Sequence, residues 1–301
     1  MIETFGWLAV VAGAVGVAAL LLLLIPPSQR AVRAWLSRSN LRDDDQTVTA
    51  VRGALMRMCY AGGAVFLAFT VAGLMAEFKA VSAALGLAVA AVAAASVGVD
   101  GGSRRRADLG HLEVADARAG RLLTGATVLS AVVCVVAVAL AVFYARRSEP
   151  GGYPVIEAGS VVPVVEHHTL PLVAGVSALL AVAAWLGYRR VLRRQSLAGA
   201  DTNVDHALRA ISTRRIAAGA LSAQIILLGA SLTAAPLLAQ STVPVVEGGR
   251  VWQIDQQLVN TAGDVALVVV VVGLVVAAAS LTSPFRGVAV RQLGHAPAEK
   301  A

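Results

Sequence analysis

Two glutamates and two histidines in one short stretch of the chain are candidate metal ligands: Glu157, Glu166, His167 and His168. Carboxylates and imidazoles bind Zn²⁺ and related ions, so this stretch would suit a metal-dependent enzyme. The spacing is poor, because adjacent histidines on a helix point about 100° apart and neither HxxH nor HxxxH occurs. We favour the simpler interpretation, in which these polar residues mark the point where a helix enters a membrane.

Polar residues within or beside apolar runs are the second candidate site, because they are costly in hydrocarbon and often functional. Gln224 lies inside one run, and Asn260 and Asp264 lie at the start of another. Their separation of four residues places Asn260 and Asp264 on one helical face. The alternative is structural: Gln224 bonds across a helix interface and Asp264 caps its helix.

The sequence lacks the residues that membrane cofactors require, so we expect no cofactor and no catalytic residues. Its lysines, Lys79 and Lys300, lie outside the last apolar run, which excludes a retinal Schiff base. All five histidines lie at or beyond the ends of apolar runs, which disfavours haem. No ionisable residue lies at the middle of a run, which argues against a proton pump.

The elements that carry these residues are apolar runs long enough to cross a bilayer. The chain has 301 residues, of which 57% are hydrophobic and 14% charged, with a mean hydropathy of +0.74, far from the values of a water-soluble enzyme. A crossing needs about 20 apolar helical residues. We predict an all-α integral membrane protein, a single membrane domain over 1–301, with seven transmembrane helices at 5–25, 58–76, 80–99, 122–144, 169–188, 216–239 and 265–283.

The distribution of basic residues predicts the orientation. With the N-terminus outside and the C-terminus inside, 21 lysines and arginines face the cytoplasm and 4 face outward. This bias is typical of the cytoplasmic (plasma) membrane. It also accounts for the net charge of +7, so we expect no nucleic-acid partner.

The spans group into a leader helix followed by three helical hairpins, at 58–99, 122–188 and 216–283. Similar lead-ins precede the hairpins, which suggests either an internal duplication or the compositional bias of the chain. Two long external loops, 145–168 and 240–264, carry Pro-Val-X-Glu elements. Segments 161–165 and 243–246 could pair as a small sheet or lie along the membrane surface.

Basic residues on the inner face predict contact with anionic lipids. Residues 28–40 form a short amphipathic segment, with Val32, Trp35 and Leu36 on one face, which suits the headgroup layer or, alternatively, a partner's helix. The basic residues expected to face lipid are Arg30, Arg33, Arg38, Arg104, Arg105, Arg106, Arg189 and Arg190.

Small residues dominate the spans, and the run at 80–99 is expected inside the bundle or against another protein. Together with the lack of chemistry, this favours a non-catalytic membrane subunit or scaffold that contacts other membrane proteins. The first alternative is a permease or the membrane component of a small-molecule transporter, with a pocket near Gln224 and bending at Pro236 and Gly273. The second alternative is the external metal-dependent enzyme.

Overall fold

A computed structural model describes residues 28–39, 41, 43–75, 117–147, 169–193, 202–232, 241–244, 250–253 and 256–282. Within these ranges the chain forms six helices and two short strands. In chain order they are α1 (Gln29–Arg38), α2 (Asp45–Met75), α3 (Ala117–Arg147), α4 (Thr169–Arg193), α5 (Thr202–Leu232), β1 (Ser241–Pro244), β2 (Arg250–Gln253) and α6 (Gln256–Thr282).

Five of the seven predicted spans overlap helices α2 to α6, and the predicted spans 5–25 and 80–99 lie outside the described residues. In the described part of the chain, three helices are long and apolar enough to cross a membrane, over Arg118–Val142, Leu170–Arg193 and Asn203–Leu232. Helix α6 contributes a shorter apolar stretch, Thr261–Val276. The helical and membrane-protein part of the prediction is therefore supported, while the count of seven remains a prediction.

Aspartate and serine side chains cap the starts of the first two helices. The Ser28 hydroxyl accepts a hydrogen bond from the Ala31 backbone N–H (3.2 Å), and Asp44 Oδ1 accepts one from the Thr47 N–H (2.8 Å). Each bond satisfies a backbone donor that has no partner within the helix. The acidic lead-in to α2 therefore acts as a helix cap, as its sequence predicts.

Consecutive helices from α3 to α5 pack antiparallel. Contacts between each pair run in opposite directions along the two helices: Ser130–Ser177 and Cys134–Ala174 between α3 and α4, and Ser177–Gln224 and Leu192–Arg209 between α4 and α5. An up-and-down order of this kind is common in helix bundles. Helices α3 and α5 are consequently parallel to each other.

Helix α5 is the central element of the bundle, since α3, α4 and α6 all pack against it. We compare the most apolar segment of each helix. In this segment 72% of α5 is buried within the protein, whereas the share is 39% for α4 and 28% for α3. The outer helices turn apolar side chains outward, where lipid can cover them. These exposed residues include Val128, Val132, Val135 and Val138 on α3, Leu179 and Val182 on α4, and Val268 and Val272 on α6.

The amphipathic segment forms helix α1 as predicted, but its apolar face packs on protein. Val32 and Leu36 are fully buried and Trp35 nearly so, in one cluster with residues of α2 and α5 such as Leu55 and Leu208. The expectation that this face contacts lipid is therefore wrong for these three side chains. Burial against its own helices removes the same apolar surface from water that a membrane would.

The second long loop, 240–264, contains two short strands, β1 and β2, that pair with each other. β1 and β2 are antiparallel, with Ser241 opposite Gln253 and Pro244 opposite Arg250. The predicted strand 243–246 thus overlaps β1 but begins two residues too late. Its proposed partner, 161–165, lies outside the described residues, so that pairing remains untested.

Two glycines allow α5 and α6 to approach closely. A Cβ atom at Gly229 would lie 2.9 Å from the Ala266 carbonyl oxygen and 2.8 Å from Val270 Cγ2. A Cβ atom at Gly273 would lie 2.8 Å from Ile226 Cγ1. Small residues bring membrane helices into van der Waals contact in this way. Gly273, expected as a bending point, therefore serves helix packing.

We predict that Gly229→Ala destabilises the protein by about 1–3 kcal/mol, because the added methyl group meets α6 backbone that cannot move aside independently. Gly175→Ala is the matched control, since nothing lies within 4 Å of a Cβ at that helical position. Replacing a helical glycine by alanine is otherwise stabilising by about 0.5–1 kcal/mol. Thermal unfolding in a mild detergent measures both. Equal melting temperatures for the two variants would contradict the close approach.

Candidate functional site

A buried polar contact joins three helices at the centre of the bundle. Ser177 Oγ on α4 donates to Gln224 Oε1 on α5 (2.6 Å), and Gln224 Nε2 donates to the Ser177 carbonyl oxygen (3.0 Å). Ser130 Oγ on α3 lies 2.9 Å from Ser177 Oγ and 3.1 Å from the same carbonyl oxygen. We call Ser130, Ser177 and Gln224 the three-helix polar contact.

Apolar packing encloses this contact. Ser177 and Gln224 are fully buried, and Ser130 is 4% exposed. On one side lies a core cluster of α3, α4 and α5 residues that includes Val133, Val173, Ala223, Ile226 and Leu227. Because no water reaches the amide of Gln224, its donor and its acceptor must both be satisfied by protein, and Ser177 satisfies both.

The chemistry available to this contact is limited to hydrogen bonding. Amide and hydroxyl groups do not titrate near neutral pH, so Ser130, Ser177 and Gln224 do not serve as general acids or bases. Their bonds instead set how α3, α4 and α5 slide and rotate against one another. The interpretation of Gln224 as a bond across a helix interface matches this geometry.

Asp264, one predicted companion of Gln224, is not part of the contact, and the side chain of the other, Asn260, lies outside what the structure describes. Asn260 and Asp264 both lie on α6, which begins at Gln256, so Asp264 is in the third turn and does not cap the helix. Its side chain is exposed. The sequence pattern placed the helix start too late, because the polar residues that precede Asp264 already belong to the helix.

An arginine joins the end of α4 to the start of α5. Arg209 Nη1 donates to the Leu192 carbonyl oxygen (2.8 Å), and Arg209 Nε donates to Asp205 Oδ2 (2.7 Å). Leu192 lies in the last turn of α4, where carbonyl groups have no partner within the helix and the dipole favours a cation. Asp205 and Arg209 are mostly buried, so this arginine serves the fold and does not reach lipid.

Comparison with protein-family models, curated proteins and solved structures gives no match for this chain. Its function must therefore be argued from its own residues.

The predicted lipid-facing arginines that the structure describes are exposed at the ends of α1 and α4. Arg30, Arg33 and Arg38 lie on α1, where Arg33 pairs with Asp45 of α2. Arg189 and Arg190 lie in the last turns of α4, and the Arg189 guanidinium stacks 3.5 Å from the centre of the Trp185 ring. Trp and Arg at a helix end are typical of a membrane–water interface. Arg104, Arg105 and Arg106 lie outside the described residues.

The weak metal candidates Glu157, Glu166, His167 and His168 also lie outside the described residues, so the metal hypothesis is not tested. Among the residues that the structure does describe, no three His, Cys, Asp or Glu side chains gather as a metal site.

Sequence reasoning missed two members of the three-helix polar contact, Ser130 and Ser177. A serine within a membrane helix can bond to its own backbone, as Ser222 does to the Ala218 carbonyl oxygen (2.8 Å), so its type alone does not reveal a partner on another helix. The available signal was the high content of Ser, Thr and Gln in α5. A span of that composition belongs inside a bundle, where protein satisfies its polar groups.

We predict that Ser177→Ala lowers the free energy of unfolding by roughly 1 kcal/mol, since it leaves Gln224 Oε1 without its donor. Ser222→Ala is the matched control, because Ser222 is equally buried but bonds within its own helix. Thermal or denaturant unfolding of both variants in detergent gives the comparison. When Ser177→Ala and Gln224→Leu are combined, we expect their effects on the free energy of unfolding to be non-additive. Additive effects would argue against direct coupling between the two side chains.

Proposed function

We propose that this protein is a non-catalytic integral subunit or scaffold of a larger assembly in the cytoplasmic membrane. The single observation that carries the proposal is the three-helix polar contact, in which the amide oxygen and the amide nitrogen of Gln224 each have a hydrogen-bond partner on α4. A polar group that binds a substrate would have to be left without a protein partner, whereas a polar group with a structural role would not. The contact therefore supports a structural role.

The proposed arrangement has seven transmembrane helices, a leader followed by three hairpins, with the N-terminus outside. Its support comes from the charge bias of the sequence and from the alternating directions of α3, α4 and α5. The Leu192–Arg209 bond brings the end of α4 beside the start of α5. Arginines of both helices thus gather on one side, which in this proposal is the cytoplasmic side.

Other membrane proteins are the proposed partners, and the outward faces of α3, α4 and α6 supply the apolar surface. On α3 this face is a stripe of valines, with Val128 60% and Val135 67% exposed. Short β-branched side chains lose little conformational freedom when they pack against another helix.

A permease with a pocket near Gln224 is the alternative that the sequence left open. It is less well supported, because Gln224 is fully buried with both amide groups bonded, and Gly273 packs against α5 where bending was expected. The external metal-dependent enzyme depends on residues that the structure does not describe.

We expect gentle detergent extraction from native membranes to yield this protein in a complex of fixed stoichiometry. Crosslinking should locate the contact: a cysteine at Val135, exposed on α3, should crosslink to the partner subunit. A cysteine at Ala126, which is 1% exposed on the same helix, is the control and should not. Recovery of the protein as a lone monomer in repeated preparations would contradict the proposal.

The orientation makes a separate prediction for single cysteines in a Cys59→Ala, Cys134→Ala background. A maleimide that cannot cross membranes should label Gly248→Cys in intact cells but should label Arg38→Cys and Arg190→Cys only after the cells are opened. Labelling is read as a mass shift of the protein. Arg38→Cys and Arg190→Cys reacting from opposite sides of the membrane would overturn the arrangement.

A further inference from the structure

Two arginines, one on α2 and one on α5, each have a buried Nε atom with no hydrogen-bond partner among the described residues. Arg215 on α5 is only 6% exposed, and its Nε has no hydrogen-bond partner among the described residues. Arg52 on α2 is half-buried, and its Nε is likewise buried without a partner in the described part of the chain. Neither arginine forms an ion pair with any carboxylate that the structure describes.

Helices α2 and α5 run in the same direction at this place. Met58 Sδ lies 3.9 Å from Ser212 Oγ, and Cys59, the next residue of α2, lies beside the Arg215 guanidinium. The apolar cluster of α2 residues 48–58 and α5 residues 204–211 extends from this contact toward the start of both helices, so residue numbers rise together along them. Arg52 is seven residues before Cys59, which is two helical turns and about 10 Å along α2 on the same face.

Arg215 thus lies in the seam between α2 and α5, and Arg52 lies two turns nearer the start of α2, on the face of α2 that carries Cys59. Arg52, the more exposed, lies nearer the start of α2, and Arg215 lies deeper. Arginine side chains on a helix point back toward its N-terminus, so both reach toward the end where α2 and α5 begin.

A buried guanidinium without a counter-charge is unfavourable, because burial removes its hydration. The Cys59 side chain hydrogen-bonds the Arg215 guanidinium, while the Nε atom of Arg215 stays without a partner among the described residues. The neighbouring carboxylates are already engaged, since Asp205 pairs with Arg209 and Asp45 pairs with Arg33. Residues 28–59 and 202–216 together contain nine arginines but four aspartates. The stretches of chain that form and flank the seam therefore carry an excess of positive charge.

We propose that the seam between α2 and α5 binds a phosphate group at Arg215, with Arg52 adding positive charge two turns nearer the start of α2. A guanidinium donates parallel N–H bonds that match phosphate oxygens, and the bonds are strong because both partners are charged. The phosphate belongs either to the headgroup of an anionic phospholipid or to a soluble phosphate. This site is separate from the surface arginines of α1 and α4, which attract anionic lipid without burying it.

The test uses the full chain, purified and reconstituted into phosphatidylcholine nanodiscs. One arm adds phosphatidylglycerol to the bilayer, and the other adds inorganic phosphate to the buffer at constant ionic strength. Native mass spectrometry counts the bound phospholipid, and thermal unfolding measures stabilisation. A lipid site responds in the first arm, whereas a site for soluble phosphate responds in the second.

Arg215→Met should weaken the binding roughly tenfold to a hundredfold, as expected when a bond to a charged group is lost, and Arg215→Lys should restore part of it. Arg57→Gln is the control, because Arg57 is exposed on α2 and its loss changes the net charge equally. If Arg215→Met does not fold, Arg52→Gln takes its place in the same assay.

The proposal would be overturned if the Arg57→Gln control bound phosphate or phospholipid no better than the Arg215→Met or Arg52→Gln variant. It would also be overturned if the wild type responded in neither arm. Because the assay contains only this protein and lipid, its failure is distinct from failure of the scaffold proposal, which is tested by subunit composition.

Discussion

The polar side chains of α5 must find their hydrogen-bond partners inside the protein, because hydrocarbon offers none. Ser212, Ser222 and Ser231 bond to carbonyl groups of their own helix, while Gln224 bonds to Ser177 of α4. A helix with this many polar groups is most stable where other helices surround it. The position of α3, α4 and α6 around α5 follows from that requirement.

Close packing and hydrogen bonding act together in this arrangement. Gly229 and Gly273 let α6 approach the backbone of α5 on one side, and the three-helix polar contact fixes α3 and α4 on the other. Apolar side chains between membrane helices gain little from leaving lipid, so small residues and hydrogen bonds must supply the specificity. The outward faces need only be apolar, and their valine-rich composition reflects this.

Arginine has three distinct roles here, which composition alone does not separate. Arg209 neutralises Asp205 and binds the end of α4, so it connects two helices. Arg189 stacks on Trp185 at an exposed helix end, as expected for an interface with water. Arg215 lies in the seam between α2 and α5 and Arg52 nearer the start of α2, both with their Nε groups unsatisfied among the described residues. All are basic residues near span ends, and only their neighbours distinguish them.

Much of the secondary structure could be predicted because it depends on local sequence. Uninterrupted apolar runs locate the helices α2 to α6, and the acidic lead-in before α2 supplies a cap, as Asp44 shows. Helix starts were less well predicted where polar residues belong to the helix. Asp264 was expected to cap α6, but the helix begins earlier, at Gln256.

The sequence by itself determined that the chain is built of apolar helices, because run length and hydropathy are properties of neighbouring residues. Tertiary structure decided which helix is central, that α1 packs on protein, and that Ser177 is the partner of Gln224. Ser177 and Gln224 are 47 residues apart, and their meeting depends on how whole helices pack. Side chains that distant are matched by shape and hydrogen bonding across an interface, for which a single sequence carries no local pattern.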